Sequence, residues 1–275
     1  MIGVLLYHVA GKLRSKIRQN LTIAFKDSHS KAEIEMLVKR NVIMQIKNAG
    51  IVIREVNVLT PDDYTRPIVN GEWHAENAFR RGQGVIFLTA HIGPFESIAQ
   101  ELSIRGYHPF IIGTRMKDPK LDKLITHNRT KFGAVAIERG KETHRLIKNI
   151  LAGGTAAMLI DQDTNVKSVF VDFFGVPCST PIGASLIALR TGAAVVPVFC
   201  HLNEDGRNQI DYYPEVDLKR TGDEEQDILT ITQTLTSIIE REIRKFPDQW
   251  VWMHRRWKTP MDATAQALNA EAQRR

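Results

Sequence analysis

Gly84-Val-Ile-Phe-Leu-Thr-Ala90-His-Ile-Gly-Pro-Phe-Glu96-Ser-Ile-Ala-Gln100-Glu-Leu-Ser-Ile-Arg105 is the stretch that decides the fold. Val85 to Ala90 is an apolar run with β-branched and aromatic residues, the pattern of a buried strand. A Gly-Pro turn follows, and helical periodicity from Phe95 to Leu102 predicts a helix over 94–105. Pro94 suits the first helical position, where its missing N–H costs nothing. Glu96 then falls in the first helical turn and His91 on the loop at the strand's carboxyl edge. A histidine and a carboxylate presented together there have the makings of a general base and its orienting partner. Each residue also has an ordinary reading, His91 as a polar loop residue and Glu96 as a response to the helix dipole. Zinc binding fits poorly, because the spacing does not suit helical i, i+4 ligands and no cysteine or second histidine lies nearby.

Outward from this unit, strands and helices alternate. The expected elements are strand 84–90, strand 109–113 with helix 119–131, strand 134–137 with helix 141–152, and strand 155–160 ending at Asp161. A strand at Ser168–Phe173 then ends in a Gly-Val-Pro turn. Thr180-Pro181 opens a helix over 181–191, strand 194–200 follows, a hairpin forms around Asn203–Gly206, and a long helix covers 224–246. This order predicts an α/β fold with a single mixed, mostly parallel sheet flanked by helices. Ligands of such sheets bind at the carboxyl ends of the strands, where His91 and Asp161 both fall. The N-terminal part reads as two helices, 3–26 and 30–54, the second opened by a Ser30/Glu33 capping box. The expected division is a basic, helical, membrane-associating segment at 1–55, an α/β domain at 56–259 and a loosely ordered tail at 260–275.

The 275 residues are 43% hydrophobic and 25% charged, enough to bury a sizeable core in a soluble α/β chain. Charge is unevenly placed. Residues 1–54 hold ten Lys/Arg against Asp27, Glu33 and Glu35, giving +7 where the whole chain is +6. A short apolar head followed by Lys12, Arg14, Lys16 and Arg18 matches an interfacial anchor facing an anionic membrane surface. It is shorter than the ~20 residues of a bilayer span, and its basic residues follow the apolar stretch, against the order of a cleavable signal peptide. A solvated basic helix is the plainer reading. Nucleic acid is disfavoured, since no aromatic-interleaved basic stretch accompanies the charge. Cys178 and Cys200 lack metal-ligand spacing and suit a reducing compartment.

Asp161-Gln162-Asp163 follows the apolar Ala156 to Ile160. Asp-x-Asp after a strand matches the nucleophile motif of haloacid-dehalogenase-like phosphatases, but Asn165 stands where that motif needs Thr or Val. A strand-end turn is the plainer reading. Arg115, Arg129 and Arg139 near element ends are candidate phosphate clamps. Phe173, Phe174 and Gly175 are a candidate wall for an acyl chain. Trp250, Trp252 and Trp257, amid His254, Arg255 and Arg256, suit an interfacial belt or a packed segment.

The ordered set resembles the late acyltransferases of lipid A biosynthesis, within the wider lysophospholipid acyltransferase group. The residues that carry the resemblance are His91-Ile-Gly-Pro-Phe-Glu96, a His-x4-Asp/Glu (HX4E) motif, then Arg115, Asp161-Gln-Asp163, Ser168 to Gly175 with Thr180, and Gln249-Trp-Val-Trp-Met-His-Arg-Arg-Trp-Lys258. Arg18-Gln-Asn-Leu21 with Ala24-Phe25 fits the family's amino-terminal pattern. Two features depart from it: the apolar head is shorter than the hydrophobic helix of many members, and Glu96 replaces the Asp commoner in the wider group.

The resemblance implies transfer of a fatty acyl chain from acyl carrier protein, or acyl-CoA, to a hydroxyl of a lipid A precursor, on the cytoplasmic face of an inner membrane. It implies His91 as base, Glu96 as its orienting acid, and no cofactor or metal. Arg115, Arg129 and Arg139 would meet acceptor phosphates or the carrier's acidic surface. Asp161 would orient the sugar headgroup or assist His91, and Gln162, Asp163, Phe174, Gly175 and Thr180 would belong with it to the substrate-binding site. The expected partners are the carrier protein, the glycolipid and an anionic membrane. Another glycolipid or lysophospholipid acceptor, a phosphatase, and a non-catalytic lipid-binding protein are the competing readings.

Overall fold

The computed structural model describes residues 2–138 and 142–261, so Arg139 and nearly all of the 260–275 tail lie outside the described residues. The chain opens with α1 (Ile2–Val9), α2 (Gly11–Phe25) and α3 (Lys31–Val56), then β1 (Ile68–Asn70), α4 (Trp73–Arg80), β2 (Val85–Thr89) and α5 (Ser97–Ile104). Next come β3 (Phe110–Gly113), α6 (Pro119–Thr130), β4 (Val135–Glu138), α7 (Thr143–Leu151) and β5 (Thr155–Leu159). The rest is β6 (Ser168–Phe173), β7 (Val176–Pro181), α8 (Gly183–Thr191), β8 (Ala194–Leu202), β9 (Asn208–Tyr212) and α9 (Glu224–Lys245).

These elements form two compact units, each woven from separated stretches of chain. One comprises the residues up to Lys47, Ile160–Leu186 and those from Leu218 on; the other is Asn48–Leu159 and Ile187–Asp217. The second unit carries a seven-stranded sheet in the order β1-β9-β8-β2-β5-β3-β4. Among its pairings only β8 with β9 is antiparallel. The fold is therefore α/β, with a mostly parallel mixed sheet flanked by helices. β2 lies at its centre, with Val85 opposite Thr155 on one side and Ala194 on the other, and all five of its residues are buried. Phe87 is fully buried against Tyr107 and Tyr212, with ring centroids 5.4 and 6.5 Å away. Burying one such side chain contributes about 2–3 kcal/mol, which explains the unbroken apolar text.

The first unit holds the β6–β7 hairpin, α9, and the N-terminal helices. Ser30 and Glu33 form the expected capping box, Glu33 N–H to Ser30 Oγ at 3.3 Å and Ser30 N–H to Glu33 Oε2 at 2.7 Å. The side-chain amides of Asn20, Asn41 and Gln45 donate to main-chain carbonyls of residues 248–254, at 2.6 to 3.4 Å. They give the tryptophan-rich C-terminal segment side-chain partners for its main-chain carbonyls.

Several expected boundaries are corrected. The helix expected over 3–26 breaks at Ala10, whose ψ of 54° is not helical. The Gly-Val-Pro stretch is not a turn. The chain reverses one residue earlier at Phe174-Gly175, both with positive φ (56° and 71°), the mirror-image turn that suits strand twist. Val176–Pro181 then pairs antiparallel with β6, so the helix expected from Thr180-Pro181 starts at Gly183, and β6 joins a separate two-stranded ladder.

Candidate functional site

His91 sits on the loop after β2, half-buried, its ring edge-on to Phe95 with centroids 4.8 Å apart. Gly93 makes this loop possible. Its φ is 56°, and a Cβ there would meet the Cys200 carbonyl oxygen at 2.5 Å and the His201 Cα at 2.8 Å, so the loop crosses β8 closer than any side chain allows. The chain then tightens through turns, Ser97 N–H to Pro94 O at 2.9 Å and Ile98 N–H to Phe95 O at 3.1 Å. Regular helix begins at Ser97, not at Pro94, and Glu96 is the residue just before α5.

Glu96 is buried, and both of its carboxylate oxygens are held by one arginine. Arg129 Nε donates to Oε2 at 2.7 Å and Nη2 to Oε1 at 2.6 Å, a bidentate fork. Burial works to lower the Arg129 pKa, but the hydrogen bonds and charge of Glu96 outweigh it, and the guanidinium stays above its ordinary value. The result is a fixed ion pair beside the histidine loop. A pocket of about 250 Å³ opens at the carboxyl ends of β3 and β4, lined by Gly113, Arg115, Asp122, Arg129 and Glu138 among others. Arg115 is largely exposed and lies 3.4 Å from Glu138.

The structure thus brings Glu96, Arg129 and Arg115 to one edge of the sheet, with His91 on the adjoining loop. Asp161, Gln162, Asp163, Phe174, Gly175 and Thr180 belong to the other unit. There Asp161 Oδ2 accepts the Trp250 indole N–H at 2.7 Å, and Asp163 Oδ2 accepts the Thr259 amide at 3.0 Å with Lys258 Nζ 3.8 Å from its other oxygen. Both carboxylates anchor the C-terminal segment. Gln162 is half-buried beside them. Thr180 Oγ1 accepts from Arg256 Nη2 at 2.5 Å. Phe174 is buried among Phe25, Phe173 and Trp252, with the Arg244 guanidinium 4.5 Å from its ring centre, and Gly175 completes its turn.

Sequence reasoning missed the partner of Glu96 and a polar network beneath it. Ser97 to Ser103 of α5 are all buried, although the helix carries Ser97, Gln100 and Glu101 among its apolar residues. Ile98, Ala99 and Leu102 enter the apolar core. Ser97 Oγ donates to Glu55 Oε1 at 2.6 Å and accepts from Asn208 Nδ2 at 3.0 Å. Gln100 Nε2 donates to Glu55 Oε2 at 3.2 Å and to Asn128 Oδ1 at 3.1 Å. Lys131 Nζ caps the Glu55 carbonyl. Glu55 is buried, and desolvation pushes its pKa up to about 7 against the pull of Ser97, Lys131, Arg54 and Gln100. Polar residues at i and i+3 of an otherwise apolar helix were the available signal, since buried polar groups require partners.

Residues 1–259 match the bacterial lipid A biosynthesis acyltransferase family. A lipid A biosynthesis acyltransferase of Haemophilus influenzae is 25% identical over 266 residues, 95% of this chain and 80% of that protein. The lipid A biosynthesis lauroyltransferase of Escherichia coli is 27% identical over 261 residues, 90% of this chain and 80% of that one. A phosphatidylinositol mannoside acyltransferase of Mycolicibacterium smegmatis is 26% identical over 189 residues, 67% of this chain and 60% of its own length. With the family matched over nearly its whole length, the chain belongs to the bacterial lipid A biosynthesis acyltransferases, and it is an acyltransferase.

Proposed function

We propose that the protein transfers a fatty acyl chain from a thioester, acyl carrier protein or acyl-CoA, to a hydroxyl of a lipid A precursor, with His91 as general base. The observation that carries this reading is the bidentate Glu96–Arg129 pair at the start of α5, five residues beyond His91. The His91 imidazole takes the proton of the acceptor hydroxyl as that oxygen attacks the thioester carbonyl. Glu96, aimed by its two hydrogen bonds from Arg129, orients the imidazole and stabilises the imidazolium. The tetrahedral oxyanion is met by the Phe95 and Glu96 amides at the amino end of α5. Its collapse expels the thiolate, which takes the proton back from His91. No acyl-enzyme and no cofactor enter the sequence of steps.

The pocket at β3 and β4 is the acceptor's side of the reaction in this proposal, with Arg115 reaching its polar headgroup. The phosphatidylinositol mannoside acyltransferase relative supports a second acceptor class, another phosphorylated glycolipid. Among the described residues no helix is long and apolar enough to cross a membrane. Contact with the membrane is therefore assigned to the basic N-terminal helices, docked peripherally on the anionic inner leaflet. Lys12 on α2 is exposed for this, whereas Arg18 is tied to Glu35.

The test is acyl transfer by the purified protein, with acyl carrier and CoA thioesters, an under-acylated lipid A precursor and a mannosylated phosphoinositide, on vesicles with and without anionic lipid. The expected result is a mass gain of one acyl group, faster on anionic vesicles. His91→Ala should lower the rate by about 10³-fold, within the range for a positioned base, with the fold unchanged by circular dichroism. Transfer that persists in His91→Ala removes this mechanism.

A further inference from the structure

The residues that hold Glu96 and Arg129 each have a neighbour in the same buried network. Ser97 follows Glu96, and Asn128 precedes Arg129. Glu55, near the end of α3, grips Ser97 directly at 2.6 Å and reaches Asn128 through Gln100, by hydrogen bonds of 3.2 and 3.1 Å. One carboxylate thus binds two side chains a turn apart on α5, and the second of them bridges to α6. All four side chains are buried, and Glu55 is only 3% exposed. A bidentate ion pair tolerates little error, because sliding either helix by a fraction of an ångström separates its two parallel hydrogen bonds.

We propose that Glu55 is a positioning residue for catalysis, setting the mutual register of α5 and α6 in which Glu96 and Arg129 meet beside His91. The proposal rests on the assignment of that pair under Proposed function. Ser97 donates its single hydroxyl proton to the Glu55 carboxylate while accepting from Asn208, and Asn208 Oδ1 accepts the Cys200 thiol at 3.0 Å. Protonating Glu55 puts a second donor against Ser97 Oγ or Gln100 Nε2, and one of these contacts has to rearrange. The charged and titratable groups facing Glu55 are Arg54 on its own helix, Lys131 after α6, the Tyr64 phenol and the Cys200 thiol on β8; Glu101 on α5 faces the last two. Of these, desolvation raises Tyr64 and Cys200 and leaves them neutral near pH 7. Burial pushes the Glu55 pKa up to about 7, so its charge changes near neutrality in direct contact with α5.

The test follows the Arg129 Nε–H resonance by 1H–15N NMR of the full chain from pH 5.5 to 8.5, the signal assigned by its loss in Arg129→Lys. Arginine does not itself titrate in this range. In the wild type the resonance should show an inflection near 7 that disappears in Glu55→Gln. Ser97→Ala, which keeps the Glu55 charge but removes a donor that stabilises it, should move the inflection to higher pH and covers the case in which Glu55→Gln does not fold. Identical titration curves in wild type and Glu55→Gln, or a wild-type signal indifferent to pH, overturn the proposal. Transfer is measured in parallel. Glu55→Gln should lower kcat about tenfold at pH 8 with KM unchanged, as misalignment of a catalytic pair does. If the wild type acylates no acceptor, the acceptor assignment fails, and the NMR comparison still decides the role of Glu55.

Discussion

Two carboxylate motifs follow apolar strands in this chain, and they do different work. After β2, Glu96 is bound by a charged guanidinium through two short bonds, beside a pocket and a histidine loop. After β5, Asp161 and Asp163 are bound by an indole N–H and a main-chain amide, the fastenings of a C-terminal segment. In sequence both read as an acid at a strand's carboxyl edge. The partner separates them. Arg129 holds the Glu96 carboxylate in one orientation beside the histidine loop. On Asp161 and Asp163 an indole N–H and a main-chain amide tie in a segment of chain, with Lys258 3.8 Å from Asp163. The first region also contains Glu55, whose pKa burial pushes up to about 7, and Arg129, whose bonds to Glu96 outweigh its desolvation.

Removing Arg129 should break this contrast most visibly. In Arg129→Met, Glu96 loses both donors while it stays largely buried. Breaking such a pair costs about 3 kcal/mol, discounted here toward 2 because the Arg129 side chain is a quarter exposed. Transfer should fall about 10²-fold, since Glu96 is then no longer held in one orientation beside His91. Urea unfolding and the transfer assay read the two effects separately. If Arg129→Met keeps the wild-type rate, Glu96 needs no clamp and the difference between the two motifs is one of packing alone.

What could be read beforehand follows from the range of the interactions. Buried parallel strands announce themselves as short apolar runs, so β2, β5 and β8 were legible, and with them the α/β class. The position of His91 and Glu96 follows from local chain geometry and was legible too. The fork between Glu96 and Arg129 spans 33 residues, and nothing local in either element records it. Glu55 closes a basic amphipathic helix and looks like any solvated acid, and only the three-dimensional fold puts Ser97 and Gln100 over it. β7 was missed because Val176-Pro-Cys reads as turn chemistry. The actual turn uses Phe174 at positive φ, which a bulky residue adopts only when packing on Phe25, Phe173 and Trp252 offsets the strain.

The stability of the two regions should also respond differently to pH. The Glu55 pKa rises from 4.5 in the unfolded chain to about 7 in the folded one, so the folded state holds its proton more tightly. Its contribution is fully present below pH 4.5 and is lost as pH rises through 7, by at most on the order of 3 kcal/mol. Glu55→Gln removes that titration. The Gln100 amide can turn over to meet the new NH2, and its bond to Asn128 must then rearrange. With the titration gone, the variant's stability relative to wild type should increase between pH 5 and pH 8, read from urea midpoints at the two values. A gap that stays constant, or narrows, means that Glu55 ionises in the folded protein as easily as in water.

The smallest effect is expected at the second motif, and it is the more discriminating for being small. Asp163→Asn retains an oxygen for the Thr259 amide and gives up only the charge that faces Lys258, a half-exposed lysine 3.8 Å away. Exposed or half-exposed ion pairs contribute about 0–1 kcal/mol, so the unfolding midpoint should shift by no more than that. If Asp163 is an anchor, the rate of acyl transfer should stay within about twofold of wild type, because a segment held by the same hydrogen bond keeps its place. If the charge itself is used in the reaction, the rate falls while stability does not, which no anchoring role predicts. That outcome would put Asp163 in the same class as Glu96, and partner chemistry would no longer tell a reacting carboxylate from a fastening one.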